Sequence, residues 1–129
     1  KQAKTLNLNA DLAGLELFED QHEVEAAQGG LLGQWYINAD VANDSFVKQY
    51  QEQYHEYPGV ASANSYDSLN LITQAVNLHG NDNDGIAQFL SSLSDYNGAA
   101  GKYSSTGDHR FDLPATVKVI TEKGFEKLY

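Results

Sequence analysis

The stretch GLELFEDQHEVEAAQGG, residues 14–30, places five carboxylates and a histidine between residues 16 and 25. Three chemistries use such a set: metal coordination, acid/base catalysis and recognition of a cationic group. A catalytic zinc site on a helix needs two or more imidazoles at helical spacing, as in H-E-x-x-H, and HEVEA supplies His22 with Ala26 where the second would stand. A calcium loop alternates oxygen ligands around a turn glycine, and no glycine occurs between Gly14 and Gly29. Acid/base work would require a second carboxylate or a histidine converging on Glu16. Charge runs ordinarily sit in water, so Glu19, Asp20, Glu23 and Glu25 read as the solvated face of a short acidic helix and His22 as a surface residue. Glu16 differs, because it stands just past Gly14 at the predicted end of a strand, where α/β folds place ligand-contacting residues.

Elsewhere the chemistry is sparser. GNDNDG, residues 80–85, has the aspartate alternation of an EF-hand, but the loop's first position would be Gly80 and its twelfth Ser91, where a bidentate glutamate is needed, so it reads as a helix-capping loop. His22, His55, His79 and His109 are scattered over different elements. No G-x-S-x-G, phosphate-binding loop or G-x-G-x-x-G occurs, which leaves nucleophile-elbow hydrolases, nucleotide hydrolases and dinucleotide enzymes without support. No catalytic residue, metal ligand or cofactor is assigned. Before Tyr66-Asp67, the small residues Ala61, Ser62 and Ala63 open the start of a helix, and helix N-termini favour anionic groups such as carboxylates.

These residues belong to a 129-residue chain, the length of one domain, whose 41% apolar residues suffice for a core. Eighteen acidic against eight basic side chains, a formal charge of −10, argue against a nucleic-acid partner, which needs a basic surface. The absence of cysteine excludes disulfides, thiolate zinc sites and cysteine nucleophiles. No apolar run approaches the ~20 residues of a membrane span and no signal peptide is evident. A chain that begins at Lys1 and lacks methionine reads as a processed or recombinant piece whose native start lies upstream, along with any localisation signal.

The elements that must position the candidates follow from periodicity. A strand around Asn9–Gly14 precedes an acidic helix over Asp20–Gln28 that Gly29-Gly30 stops, and LLGQWYIN, residues 31–38, is a short buried strand. Asp44 caps a helix whose stripe is Phe46, Tyr50, Tyr54 and Tyr57, ended by Pro58-Gly59. A second helix, running to His79-Gly80, presents Tyr66, Leu69, Ile72 and Val76 as its inner face, widened by Leu71, Ala75 and Leu78. Ile86, Phe89, Leu90 and Leu93 mark a third helix. Glycines 98, 101 and 107 punctuate a hairpin, Thr116–Thr121 alternates as a strand, and Gly124-Phe125 begins a final turn and short strand. Interspersed strands and helices with parallel-compatible connections give an α/β layered architecture.

The order of these pieces resembles the C-terminal part of the type I periplasmic solute-binding proteins, the family of the leucine/isoleucine/valine-binding proteins. The resemblance rests on GLELFE, AAQGGLLGQWY, FVKQYQEQYHEYPGVASANSYDSLNLITQAV, GIAQFLSSLSDYNGAAGKYSSTGDHRF and PATVKVITEKGF, in that order over roughly residues 10–126. It implies a partial αβα fold with segments of both lobes: about 1–39 from the C-terminal lobe, about 40–113 from the N-terminal lobe and about 114–129 as the return crossing. It further implies a non-enzymatic, cofactor-free receptor, periplasmic or extracytoplasmic, a cell-surface lipoprotein being one form. Such a receptor closes two lobes on an amino acid, amide or related carboxylate and serves an ABC transporter permease, or else signals ligand occupancy. The family's acidic ligand contact falls on Glu16, which would pair with a substrate ammonium, and the other side of the pocket falls on Ala61 and Asn64. A piece of both lobes would leave sheet edges open to pairing with a second copy.

Overall fold

The structure, a computed structural model, describes residues 2–39 and 43–128; the lobe boundary expected at residue 40 lies outside the described residues. In chain order its elements are α1 (Gln2–Thr5), β1 (Ala13–Gly14), a single 3-10 turn (Glu16–Glu19), α2 (Gln21–Ala26), β2 (Trp35–Ala39), α3 (Asp44–Tyr54), α4 (Ser62–His79), α5 (Asn83–Ser91), β3 (Tyr96–Gly98), β4 (Gly101–Ser105), β5 (Phe111–Asp112), β6 (Ala115–Thr121) and β7 (Gly124–Lys127). They form two compact units, residues 1–40 with 115–129 and residues 41–114. The class is α/β with αβα layering.

The first unit is built on a four-stranded sheet of order β1-β2-β6-β7, with β1 parallel to β2 and the other pairs antiparallel. Its core is one face of that sheet, where Tyr36 (0% exposed) and Ile120 (1%) meet the rings of Phe18 and Phe125 at centroid distances of 6.4 and 6.2 Å from Tyr36. The period of two along β6 puts Lys118 on the covered face with Ile120, and Lys118 is only 8% exposed. Trp35 and Ile37, one residue out of phase on β2, remain exposed. The strand expected over Asn9–Gly14 is confined to its last two residues, since Asn9 and Ala10 present nothing to bury. Likewise β2 begins at Trp35 rather than Leu31, because Gly33 takes a left-handed φ of 78° in the preceding turn and donates to Ile120 O.

In the second unit, α3 is capped by Asn43, whose side chain accepts from Ser45 N, rather than by Asp44. The helix ends at Tyr54, with left-handed His55 at its C-terminus, before Tyr57 can join the stripe. Asp82 caps α5 as the capping-loop reading requires, accepting from Asp84 N at 3.1 Å. The largest departure concerns α4. Of its expected inner face, Leu71 and Ala75 are buried, in line with Asp67 at four-residue spacing, whereas Tyr66, Leu69, Ile72, Val76 and Leu78 are exposed. The polar residue decides the rotation: Asp67, 2% exposed, accepts from Ala99 N at 2.7 Å and Ala100 N at 2.8 Å in the turn between β3 and β4, so its face must turn inward. Leu71 then packs with Ala100 and Tyr103, and Phe89, Leu90, Leu93, Tyr96 and Leu113 surround that cluster. Gly98 makes the approach possible, since a Cβ there would run into Asp67 Oδ2.

Candidate functional site

The candidates fall into two groups, one in each unit. In the first unit, β1 runs parallel to β2 and ends at Gly14; two residues on, the chain turns into the 3-10 helix that begins with Glu16. Gly14 lets that turn close tightly, because Phe18 folds back over it and a Cβ at residue 14 would lie 2.5 Å from the ring. Glu16 therefore stands just past the carboxyl end of a parallel strand, the position where α/β sheets meet ligands. It is exposed, and its carboxylate has no hydrogen-bond or ion-pair partner among the described residues.

The acidic run after Glu16 does not behave as one group. Asp20 caps α2 by accepting from His22 N at 2.8 Å, and Glu23, Glu25 and His22 are exposed along that helix. Glu19 is the exception to the solvated reading. Both its oxygens accept from Lys118 Nζ, at 2.9 and 3.0 Å, and Oε2 also accepts from Asn38 Nδ2 at 2.5 Å. The Lys118 and Glu19 side chains are 10% and 19% exposed, so this ion pair is withdrawn from water. Asn38 is itself oriented, its Oδ1 accepting from Ala39 N at 2.7 Å. Sequence reasoning missed this network because Lys118 lies 99 residues from Glu19; the available signal was a lysine in phase with Ile120 on an otherwise apolar strand. Among the described residues no three His, Cys, Asp or Glu side chains come together as metal ligands would.

In the second unit, Ala61 and Asn64 meet at the start of α4. Ala61 precedes the helix in a left-handed conformation, φ 65° and ψ 1°, with no side chain to cap the first turn. Asn64 is exposed in that turn, its carbonyl accepting from Ser68 Oγ at 2.8 Å. Six residues beyond Ala61, Asp67 anchors the helix to the β3–β4 turn. The Tyr103 hydroxyl also bonds to Asp67; burial first, then the Asp67 charge and that hydrogen bond, then Tyr96, hold its pKa well above the usual tyrosine range. A groove of about 440 Å³ in the first unit, between α2 and the β6–β7 turn, is lined by Gln21, Val24, Leu32, Lys123 and Phe125 among others and includes none of the candidates.

No protein-family model matches the sequence, and no curated protein does so. Solved structures do match the fold. A leucine-binding protein from Thermotoga maritima superposes with a TM-score of 0.82 at 19% identity, covering 99% of this chain and 39% of that one. An extracellular ligand binding receptor from Desulfohalobium retbaense gives 0.86 at 23% identity, covering 98% of this chain. This is the type I periplasmic-binding-protein fold. An ABC-transporter solute-binding protein from R. palustris, in complex with benzoate, has the same fold, with a TM-score of 0.80 at 20% identity over 99% of this chain. The periplasmic-binding-protein fold is thus matched along essentially the whole chain, while the chain spans only 39%, 23% and 38% of these three structures. The resemblance carried by the ordered sequence motifs holds at the level of fold.

Proposed function

We propose that this chain is part of a solute-binding receptor, extracytoplasmic and serving an ABC transporter permease, whose two lobes close on an amino acid or a related amide or carboxylate. On this reading the unit of residues 1–40 and 115–129 belongs to one lobe and the unit of residues 41–114 to the other, a division that falls close to the boundaries implied by the motifs. No described helix is long and apolar enough to cross a membrane.

The observation that carries the proposal is Glu16. An exposed carboxylate without a partner, just past the carboxyl end of a parallel strand, has the charge and the free acceptor oxygens to bind a substrate ammonium through charge-assisted hydrogen bonds. In the other unit, the first turn of α4, with small Ala61 and the amide of Asn64, is the second candidate contact, since free helix N–H groups there suit a carboxylate. Among the described residues no second group converges on Glu16 as acid/base catalysis requires: His22 is exposed on α2, and Glu19 is taken up by Lys118 and Asn38. A sensory receptor of the same fold would use the same contacts, and the domains that accompany the chain in its gene would distinguish the two roles.

Isothermal titration of the full-length protein against a panel of amino acids, with Glu16→Ala alongside, tests the reading. A zwitterionic amino acid should bind the wild type and lose at least tenfold in affinity in the variant, about the 1.4 kcal/mol or more expected of one charge-assisted bond. Equal binding by both proteins would remove Glu16 from the site.

A further inference from the structure

We propose that Glu19 is a positioning residue for Glu16, so that the Lys118–Glu19–Asn38 network sets the ligand carboxylate of the first unit; this rests on the reading of Glu16 given above. The 3-10 turn that carries Glu16 has no buried residue, and Leu15 and Leu17 both point to solvent. Two side chains hold it to the sheet. Phe18 packs on Tyr36, and Glu19 is bound by Lys118 of β6 and Asn38 of β2. Phe18 supplies contact without direction, since ring packing tolerates sliding. Glu19 supplies direction, because its oxygens are fixed by three contacts to groups on two paired strands, Asn38 lying opposite Thr116 and Tyr36 opposite Lys118.

The helix geometry carries that constraint to Glu16. A 3-10 helix has three residues per turn, so residues i and i+3 lie on the same side, one above the other. Glu16 and Glu19 are the first and last residues of the turn and bear that relation. One carboxylate is tied to the sheet and the next along the same edge is left free. Without Glu19 the turn would pivot on Phe18, and the free carboxylate would lose its fixed place while the sheet beneath remained.

The tether can be read without a ligand in the full-length protein. The Phe18 amide donates to Leu15 O at 3.0 Å within the turn, and its hydrogen exchange reports opening of that turn. Glu19→Gln should speed Phe18 exchange about tenfold or more, while the amides of the β2–β6 ladder keep their protection. If Glu19→Gln fails to fold, Asn38→Ala applies the same test, loosening the same carboxylate with the ion pair intact. The ligand readout uses L-leucine and isocaproate, which is leucine without its ammonium group. Glu19→Gln should weaken leucine binding about tenfold in the wild-type background, change nothing in a Glu16→Gln background, and leave isocaproate binding as it was. Unchanged Phe18 exchange, or a leucine loss of equal size in both backgrounds, overturns the positioning role. Equal leucine binding by wild type and Glu16→Gln overturns the ligand reading instead, and the Phe18 exchange then decides the tether alone.

Discussion

A carboxylate in each unit is drawn out of water, Asp67 fully and the Glu19 side chain to 19% exposure, and the two are satisfied by different partners. Glu19 in the first unit is met by an ammonium and a side-chain amide, Lys118 and Asn38. Asp67 in the second accepts from two backbone N–H groups, those of Ala99 and Ala100, and from the Tyr103 hydroxyl, with no cation against it among the described residues. Each also anchors the element that presents an exposed candidate, Glu16 in one case and Ala61 with Asn64 in the other. The elements differ in how much else holds them. The turn of Glu16 has little beyond Glu19 and Phe18, whereas α4 is an 18-residue helix with Leu71 and Ala75 also buried. The same kind of anchor should therefore govern position in the first unit and stability in the second.

The largest effect expected is on Asp67. Asp67→Ala leaves two buried N–H groups without acceptors, each costing about 1–3 kcal/mol, and a total loss of roughly 3–5 kcal/mol should appear in chemical denaturation. Exchange of the Ala99 and Ala100 amides should rise with it. Ligand affinity in the fraction that remains folded should change less than with Glu19→Gln, because Leu71 and Ala75 still hold the body of α4 and only its first turn is loosened. A loss of affinity as large as that of Glu19→Gln would erase the contrast between the two anchors.

Next in size is the ion pair. Removing Glu19 alone leaves a nearly buried ammonium, at a cost of about 3 kcal/mol, whereas Glu19→Met with Lys118→Met removes both charges and should lie within about 1 kcal/mol of wild type. No such double replacement exists for Asp67, since its donors are main-chain groups. If the double methionine variant is as unstable as the single one, the pair contributes more than mutual neutralisation, and the two anchors are more alike than their partners suggest.

Much of this was legible in the sequence, and the misreadings share a cause. Periodicity located the helices of the second unit, and the glycine pattern located its hairpin, because both signals are local. The ordered motifs pointed to the fold, and Glu16 was separated from the acidic run by its place after Gly14. Glu19 was misplaced among solvated carboxylates, and the inner face of α4, which rightly included Leu71 and Ala75, was centred on Leu69, Ile72 and Val76 instead of on the line of Asp67. In both cases a carboxylate drawn out of water set the outcome, against the hydrophobic pattern for α4 and against the charge run for Glu19, and in both a partner lay far along the chain, 99 residues away for Lys118 and 32 for Ala99. An unpaired buried charge is so unfavourable that one such residue can set the rotation of a helix against several apolar side chains, and a single sequence does not show where its partner is.

Alkaline pH separates the anchors in another way. Tyr103 holds its proton more tightly in the folded state than in the unfolded one, so the folded state binds more protons over the interval above the ordinary tyrosine pKa of ~10. Stability from this group is complete below that pH and falls as pH rises through the interval. Denaturation midpoints should decline above pH ~10 in the wild type and less steeply in Tyr103→Phe, with tyrosinate absorbance confirming that one tyrosine titrates late. A decline of equal slope in both proteins would detach Tyr103 from the Asp67 anchor.

The smallest effect concerns what the second anchor presents. Ala61 holds a left-handed φ of 65° at the entry to α4, a conformation that costs a residue with a Cβ about 1 kcal/mol and glycine almost nothing. Strain of this kind persists where the surroundings fix the backbone, and Asp67, on the same helix, is part of what fixes it. Ala61→Gly removes the strain but adds freedom to the unfolded chain, so the net gain in stability should be about 0.5 kcal/mol. In an Asp67→Asn background the helix start is free to relax by itself, and the gain should shrink toward zero. An equal gain in both backgrounds would mean that the entry to α4 is set by its own turn, and that Asp67 anchors the hairpin alone while Glu19 anchors a candidate binding residue.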